Sequence, residues 1–287
     1  MRRCAGFTLV ELILVIALSA VVGVMISTVL SRPLEGFVAQ SRRAELVDQA
    51  AFALNRMARD IRRAVPNSVR VEDGGRALEL LSISSGGRYL PNRVDGESLR
   101  FSPDPAPECT APNNDCQSFR ALLPGLSVDG VNWLVVYNTG AESGGALLAG
   151  SNLWAEADAA TGRHVITPPG TDFAATAEGS STLITVTPPS GSFAFAFASP
   201  QRRFYLADEV VGYRCDTAGR LLRFTRAGLA TAFTADASHV VVDNVSHCSF
   251  SYQPGSQHRA GLVGLTLRLT DGESIELFQQ VQVDNAP

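Results

Sequence analysis

One acid stands inside the most apolar stretch of this 287-residue chain: residues 7–30 carry a single charged side chain, Glu11. A charge near a membrane centre costs about 2.5–3.5 kcal/mol on insertion scales and less near the interface, so an acid there is a functional residue by default. The group best suited to it is an amine, because an ammonium and a carboxylate attract far more strongly in low dielectric than in water. A second candidate chemistry is thiol oxidation. Cys4 precedes the apolar run, and Cys109, Cys116, Cys215 and Cys248 form an even set beyond it. In an exported chain such a set implies two disulfides. A local Cys109–Cys116 pairing with Cys215–Cys248 is the preferred connectivity, and the two other pairings stay open. In the chain-entropy model the shorter loop is worth about 2.5 kcal/mol and the longer about 3.8 kcal/mol.

Other reactive side chains do not assemble into a known catalytic pattern. There is no G-x-S-x-G, H-E-x-x-H or Walker loop. His164, His239, His247 and His258 are scattered, and a Cys/His pair made from His247 and Cys248 would leave one cysteine over. Asp104, Glu108 and Asp115 are candidate oxygen ligands for calcium beside the Cys109–Cys116 loop, but they lack EF-hand spacing. The cysteines lack the paired C-x-x-C spacing of a zinc site. The expectation is a chain that is not an enzyme, with no metal and no cofactor.

The elements that position Glu11 can be read from the flanks. A helix over residues 7–30 spans about 36 Å, enough for a bilayer core of about 30 Å. Arg2 and Arg3 precede it, which places the N-terminus in the cytoplasm and the rest of the chain across the membrane. The run is too long for a signal-peptide core, and no clear A-x-A site follows it. Arg32-Pro33 predicts a kink or short break, with Gly36 adding local freedom and the helix resuming at about residue 37. Val47, Ala50, Leu54, Met57, Ile61 and Ala64 then form one apolar stripe. Arg42, Arg43, Glu45, Asp48, Arg56, Arg59, Arg62 and Arg63 lie mostly off it, and the helix ends before Pro66-Asn67.

After residue 67 the pattern changes to short β-rich runs separated by Gly, Pro, Asn and Ser. Expected strands cover 68–72, 77–83, 98–101, 131–137, 182–187, 192–198, 203–207, 209–215, 220–225, 240–243, 248–253, 262–270 and 273–283. Asp216-Thr217-Ala218-Gly219 reads as a four-residue hairpin loop and Asp271-Gly272 as a two-residue one. Residues 139–181, rich in Gly, Ala, Ser and Thr, read as an irregular outer face or mobile insertion. Charge is divided: residues 1–66 carry a net +4 and the remainder −8, with every one of the 24 basic residues an arginine. An acidic body repels phosphates, so a nucleic-acid partner is not expected.

Gly6 followed by Phe7-Thr8-Leu9-Val10-Glu11-Leu12 resembles the class III signal of type IV prepilins and type II secretion pseudopilins. The resemblance implies cleavage between Gly6 and Phe7 by a membrane-embedded prepilin peptidase, N-methylation of Phe7, and pairing of Glu11 with the terminal amine of a neighbouring subunit during assembly. It also implies an α+β pilin-like fold, a long N-terminal helix laid on an antiparallel β-rich head. The boundaries are a leader at 1–6, a transmembrane half-helix at 7–31, a periplasmic amphipathic half at 32–66 and a head at 67–287. The stretch Leu54–Val71, with Gly212–Asp216 and Val245–Tyr252, is similar to the MshO family of minor pilins of the mannose-sensitive haemagglutinin (MSHA) pilus. That resemblance implies a minor subunit that initiates or caps a pilus used in surface attachment. Its partners would be other pilin subunits, the prepilin peptidase and an inner-membrane assembly platform, and its home the inner membrane and then the filament. A J-like minor pseudopilin of type II secretion and a DNA-contacting competence pilin are the alternatives.

Overall fold

The computed structural model describes residues 7–96, 98–104, 106–110, 115–158, 164–230, 232–233, 238–255 and 259–283. A single helix, α1 (Leu9–Arg62), takes up 54 residues, about 81 Å at 1.5 Å per residue. The break expected at Pro33 is absent: α1 runs on through Pro33 and Gly36. Proline removes one backbone hydrogen bond and crowds the preceding turn. Helix is already nucleated on both sides of it, so that local loss does not have to be followed by a new nucleation step.

The buried stripe of α1 is Leu46, Ala50, Ala53, Leu54, Met57, Ala58 and Ile61. Val47, expected to begin it, is 36% exposed. Leu46 lies four residues before Ala50 and therefore directly below it on the helix surface, whereas Val47 is rotated towards solvent. Phe52 and the side chains of Glu45, Asp48, Arg59 and Arg62 face outward.

The stripe packs on an antiparallel sheet of three strands, β14 (Val245–Gln253), β15 (Gly261–Asp271) and β16 (Glu273–Val283), with β16 and β15 nearest the helix. Alternation puts Val263, Leu265, Leu267 and Leu269 of β15 and Ile275, Val281 and Val283 of β16 into the shared core. The β15–β16 turn sits where Asp271-Gly272 placed it, but it is not a two-residue loop. Asp271 pairs with Glu273 and Gly272 alone forms the apex, at φ 70°. Only glycine enters that left-handed region without steric cost.

The larger sheet has nine strands. Its path runs β13 (Ser238–Val242), β12 (Leu221–Arg226), β11 (Arg203–Cys215), β2 (Ala77–Leu90), β4 (Ser118–Ala121), β9 (Ser181–Thr187) and β8 (Asp172–Glu178). In addition β1 (Arg70–Glu72) pairs with β2, and β5 (Trp133–Val135) pairs with β11. The runs expected at 203–207 and 209–215 are one strand, interrupted in register between Ala207 and Val210. That is a bulge, and Asn132 steadies it by donating to the Asp208 carbonyl. The hairpin turn expected at 216–219 is present but one residue longer: Cys215 pairs with Leu221, leaving 216–220 between the strands, and the Asp216 carboxylate accepts from the Ala218 and Arg220 amides.

β2 and β11 pair directly, and Arg88 lies opposite Arg203. The chain therefore leaves the pair at Leu90, builds a distal lobe from residues 91–202, and returns beside its point of departure. The lobe is ordered by two cores. One is aromatic, with Tyr89, Phe101, Phe119, Phe193, Phe195 and Phe204. The other holds Trp133, Trp154, Val165 and Ile166 against Val65 and Leu81. The short strands β3 (Arg100–Phe101) and β10 (Phe193–Ala194) pair with each other, as do β6 (Glu142–Ser143) and β7 (Ala146–Leu147). Much of the segment read as irregular is thus structured: it holds β6, β7, a 3-10 turn at Leu153–Asp158 that buries Trp154, and β8. The α+β architecture, an N-terminal apolar helix followed by an antiparallel β-rich head, is the expected one.

Candidate functional site

The chemistry singled out in the sequence lies at the very start of α1. Gly6, with Cys4 and the rest of 1–6, falls outside the described residues. Phe7 is 77% exposed and immediately precedes the helix cap. Thr8 is the N-cap, with extended backbone, and its hydroxyl accepts the Glu11 amide at 3.3 Å. Its carbonyl accepts the Leu12 amide at 3.2 Å. Thr8-Leu9-Val10-Glu11 therefore has the Ser/Thr-x-x-Glu spacing of a capping box, a local signal that the sequence reading passed over. Glu11 also sits in the first helical turn, where the positive end of the helix dipole favours a carboxylate. Among the described residues no cation faces it. The spacing serves two ends at once: it caps the helix, and it leaves an acid one turn from the Phe7 backbone.

Behind this cap, Leu9–Ser27 is long and apolar enough to cross a membrane, with mean hydropathy 2.8 and no part buried against the rest of the chain. At the other end, α1 is fixed to the head by polar contacts as well as by its apolar stripe. Asp60 accepts from the Tyr213 hydroxyl at 2.7 Å and from Arg223 Nε at 2.9 Å. Burial first, and then the neighbouring Asp60 carboxylate, hold the Tyr213 phenol well above its usual range. Deeper in the junction, Glu79 is fully buried between Arg70 and Arg226. Desolvation pushes its carboxyl upward against the pull of the two guanidinium groups. Arg70 in turn lies 4.1 Å over the Trp154 ring, a cation–π contact that ties the distal lobe to the stem end.

The four cysteines beyond the apolar run are joined as Cys109–Cys116 and Cys215–Cys248, with Cα separations of 5.3 and 6.5 Å. The second bridge links the end of β11 to β14, and so the larger sheet to the three-stranded one beneath the helix. Two of the three carboxylates weighed as calcium ligands have other partners: Glu108 pairs with Arg100 at 2.8 Å, and Asp115 accepts from the Gln117 amide and the Ser118 hydroxyl. Among the described residues no cluster of three or more His, Cys, Asp or Glu could hold a metal. His164 stacks on Phe193 at 5.2 Å, His239 and His247 are exposed on strands, and His258 lies outside the described residues.

Comparison with known families finds the prokaryotic N-terminal methylation motif over residues 1–27. No curated protein and no solved structure matches the chain. The motif and the helix-plus-β-head architecture support a type IV pilin-like protein, a class that includes pilins and pseudopilins and is structural rather than catalytic. A motif of this kind implies processing and assembly machinery, and with the apolar helix it points to a membrane-anchored chain.

Proposed function

We propose that this chain is a minor pilin of an MSHA-like type IV pilus, helping to initiate or cap a filament used in surface attachment. The observation that carries the reading is the methylation motif placed at the capped start of one unbroken helix that ends in a β-rich head. Prepilin peptidase would cut between Gly6 and Phe7 and methylate Phe7, creating an amine within one helical turn of Glu11. In lipid neither charge is stable alone. A Glu11 carboxylate and the Phe7 ammonium of an adjacent subunit relieve each other's desolvation, which favours insertion in register. The head, 67–287, would stand in the periplasm before assembly and at the cell surface afterwards. The body of some 220 residues is large for a major subunit, which favours the minor role.

The test has two parts. Mass spectrometry of protein isolated from its native cells is expected to show a chain beginning with N-methyl-Phe7. A chain that still begins with Met1 would sink the reading. Deleting the gene should reduce surface filaments seen by electron microscopy. A defect in protein secretion with normal pili would instead assign the chain to type II secretion.

A further inference from the structure

The far edge of the nine-stranded sheet is built to take another strand. β8 pairs with β9 through the two-residue turn Gly179-Ser180, and Glu178 lies opposite Ser181. In such a hairpin the closing pair exchanges both of its hydrogen bonds and the pairs then alternate. The amides and carbonyls of Glu178, Thr176, Ala174 and Asp172 thus point at β9, and those of Phe173, Ala175 and Ala177 point away from it. The far side of β9 agrees with this parity: Val186, opposite Phe173, donates to the Gln117 carbonyl in the direction of β4. Among the described residues, nothing accepts from or donates to the outward groups of Phe173, Ala175 and Ala177.

Natural sheet edges are normally blunted by charged side chains along the strand, Pro, bulges, short length or a covering element. Asp-Phe-Ala-Ala-Thr-Ala-Glu carries charge only at its two ends, Asp172 and Glu178, and has none of the other devices. The pairing runs without a register shift for seven residues, and apart from the half-buried Phe173 and Glu178 every residue of β8 is exposed. The small side chains of Ala174, Ala175 and Ala177 would let a second backbone approach along the whole edge.

We infer that β8 is a strand-addition site for an extended segment of a different protein chain, with cationic residues flanking a short β-prone run. Charge decides against a second copy. The longest antiparallel self-pairing puts Asp172 opposite Glu178 at both ends; Arg120 already pairs with Glu178 at 2.8 Å, so a second copy offers Asp172 an acid and no free cation, and residues 67–287 carry a net −8. A partner strand with a cation opposite Asp172 meets neither obstacle. Main-chain bonds supply the affinity, and the small-residue faces select slender side chains. The inference does not depend on the chain joining a filament.

The test uses the full chain in detergent and a labelled heptapeptide, Lys-Val-Thr-Val-Thr-Val-Lys. Saturable binding is expected, weakened at least tenfold by Ala175→Pro or Ala177→Pro. Each of these substitutions removes an outward N–H that has no partner in the fold. Ala175→Thr, which keeps the N–H, should bind within twofold of the parent, and a peptide N-methylated at every internal residue, which has no complete donor edge left, should not bind. Binding of the N-methylated peptide as tight as that of the parent overturns the inference, as does no binding of the parent peptide. Sedimentation showing a dimer that Ala175→Pro abolishes overturns the choice of partner.

Discussion

Removing Asp60 should loosen the stem from the head by a measurable amount. Its Oδ2 accepts two hydrogen bonds, from Tyr213 at 2.7 Å and from Arg223 Nε at 2.9 Å. Among the described residues, the other carboxylate paired with Arg223 is Glu209, at 4.0 Å. Bonds to a charged group contribute roughly 1.5–3 kcal/mol each when dry. Here Asp60 and Arg223 are 20% and 18% exposed, so solvent screens part of that, and the two bonds share one acceptor oxygen. Asp60→Ala is therefore expected to cost about 2–3 kcal/mol, and Asp60→Asn about half as much because the amide oxygen still accepts. Urea unfolding of the full chain in detergent, followed by tryptophan fluorescence, reads this directly, since Trp154 is held by the same junction through Arg70. A double-mutant cycle with Arg223→Ala should give a coupling of about 1 kcal/mol. The Tyr213 phenol should also titrate lower in Asp60→Ala, because one cause of its elevation has gone. A loss below about 0.5 kcal/mol with no coupling would refute the view that this carboxylate pins the helix.

Three further outcomes are expected. Replacing both Cys215 and Cys248 by Ser should lower stability by about 4 kcal/mol, against about 2.5 kcal/mol for Cys109 and Cys116, as the loops they close differ in length; thermal melts of the two double variants rank them. Gly212→Ala should destabilise by about 1–3 kcal/mol in the same melts, because a Cβ there would meet the Phe224 ring at 2.0 Å. Tyr213 keeps its proton in the folded chain above its ordinary value of 10.0. Its contribution is therefore fully present below pH 10 and lost as pH rises beyond it, by up to about 1.4 kcal/mol per pH unit; Tyr213→Phe should flatten that part of the pH–stability curve.

The helix, most strands and the two main hairpin turns were legible because each rests on a local signal, a periodicity or a turn residue. What escaped was non-local. Asp172–Glu178 reads Asp-Phe-Ala-Ala-Thr-Ala-Glu, with little hydrophobic alternation, and becomes a strand only because β9 offers it a ladder. Ser118–Ala121 is too short to announce itself and is held between β2 and β9. Pro33 pointed to a break that the helix on either side overrides. Val47 fell on the wrong side of the stripe because a run of spacings three and four apart fixes a helical face only to within one residue. At the candidate site, Glu11 stands out as an isolated charge, whereas Thr8 is one small hydroxyl residue at the head of a long apolar run, and its capping role is set by the helix start that only the backbone fixes. The Asp60–Tyr213–Arg223 contact joins residues more than 150 positions apart, and no local pattern signals it.

The distal lobe departs from Leu90 and re-enters at Arg203, next to Arg88. Both ends of this long excursion meet at one rung of a ladder, so parts of it away from the Trp133 and Trp154 contacts with Val65, Leu81 and Arg70 can change length without moving the elements that seat the helix. Loop-closure cost grows only slowly with length. Over evolutionary time such outlying segments of the lobe can be enlarged or trimmed while the helix and the sheets that seat it keep their shape.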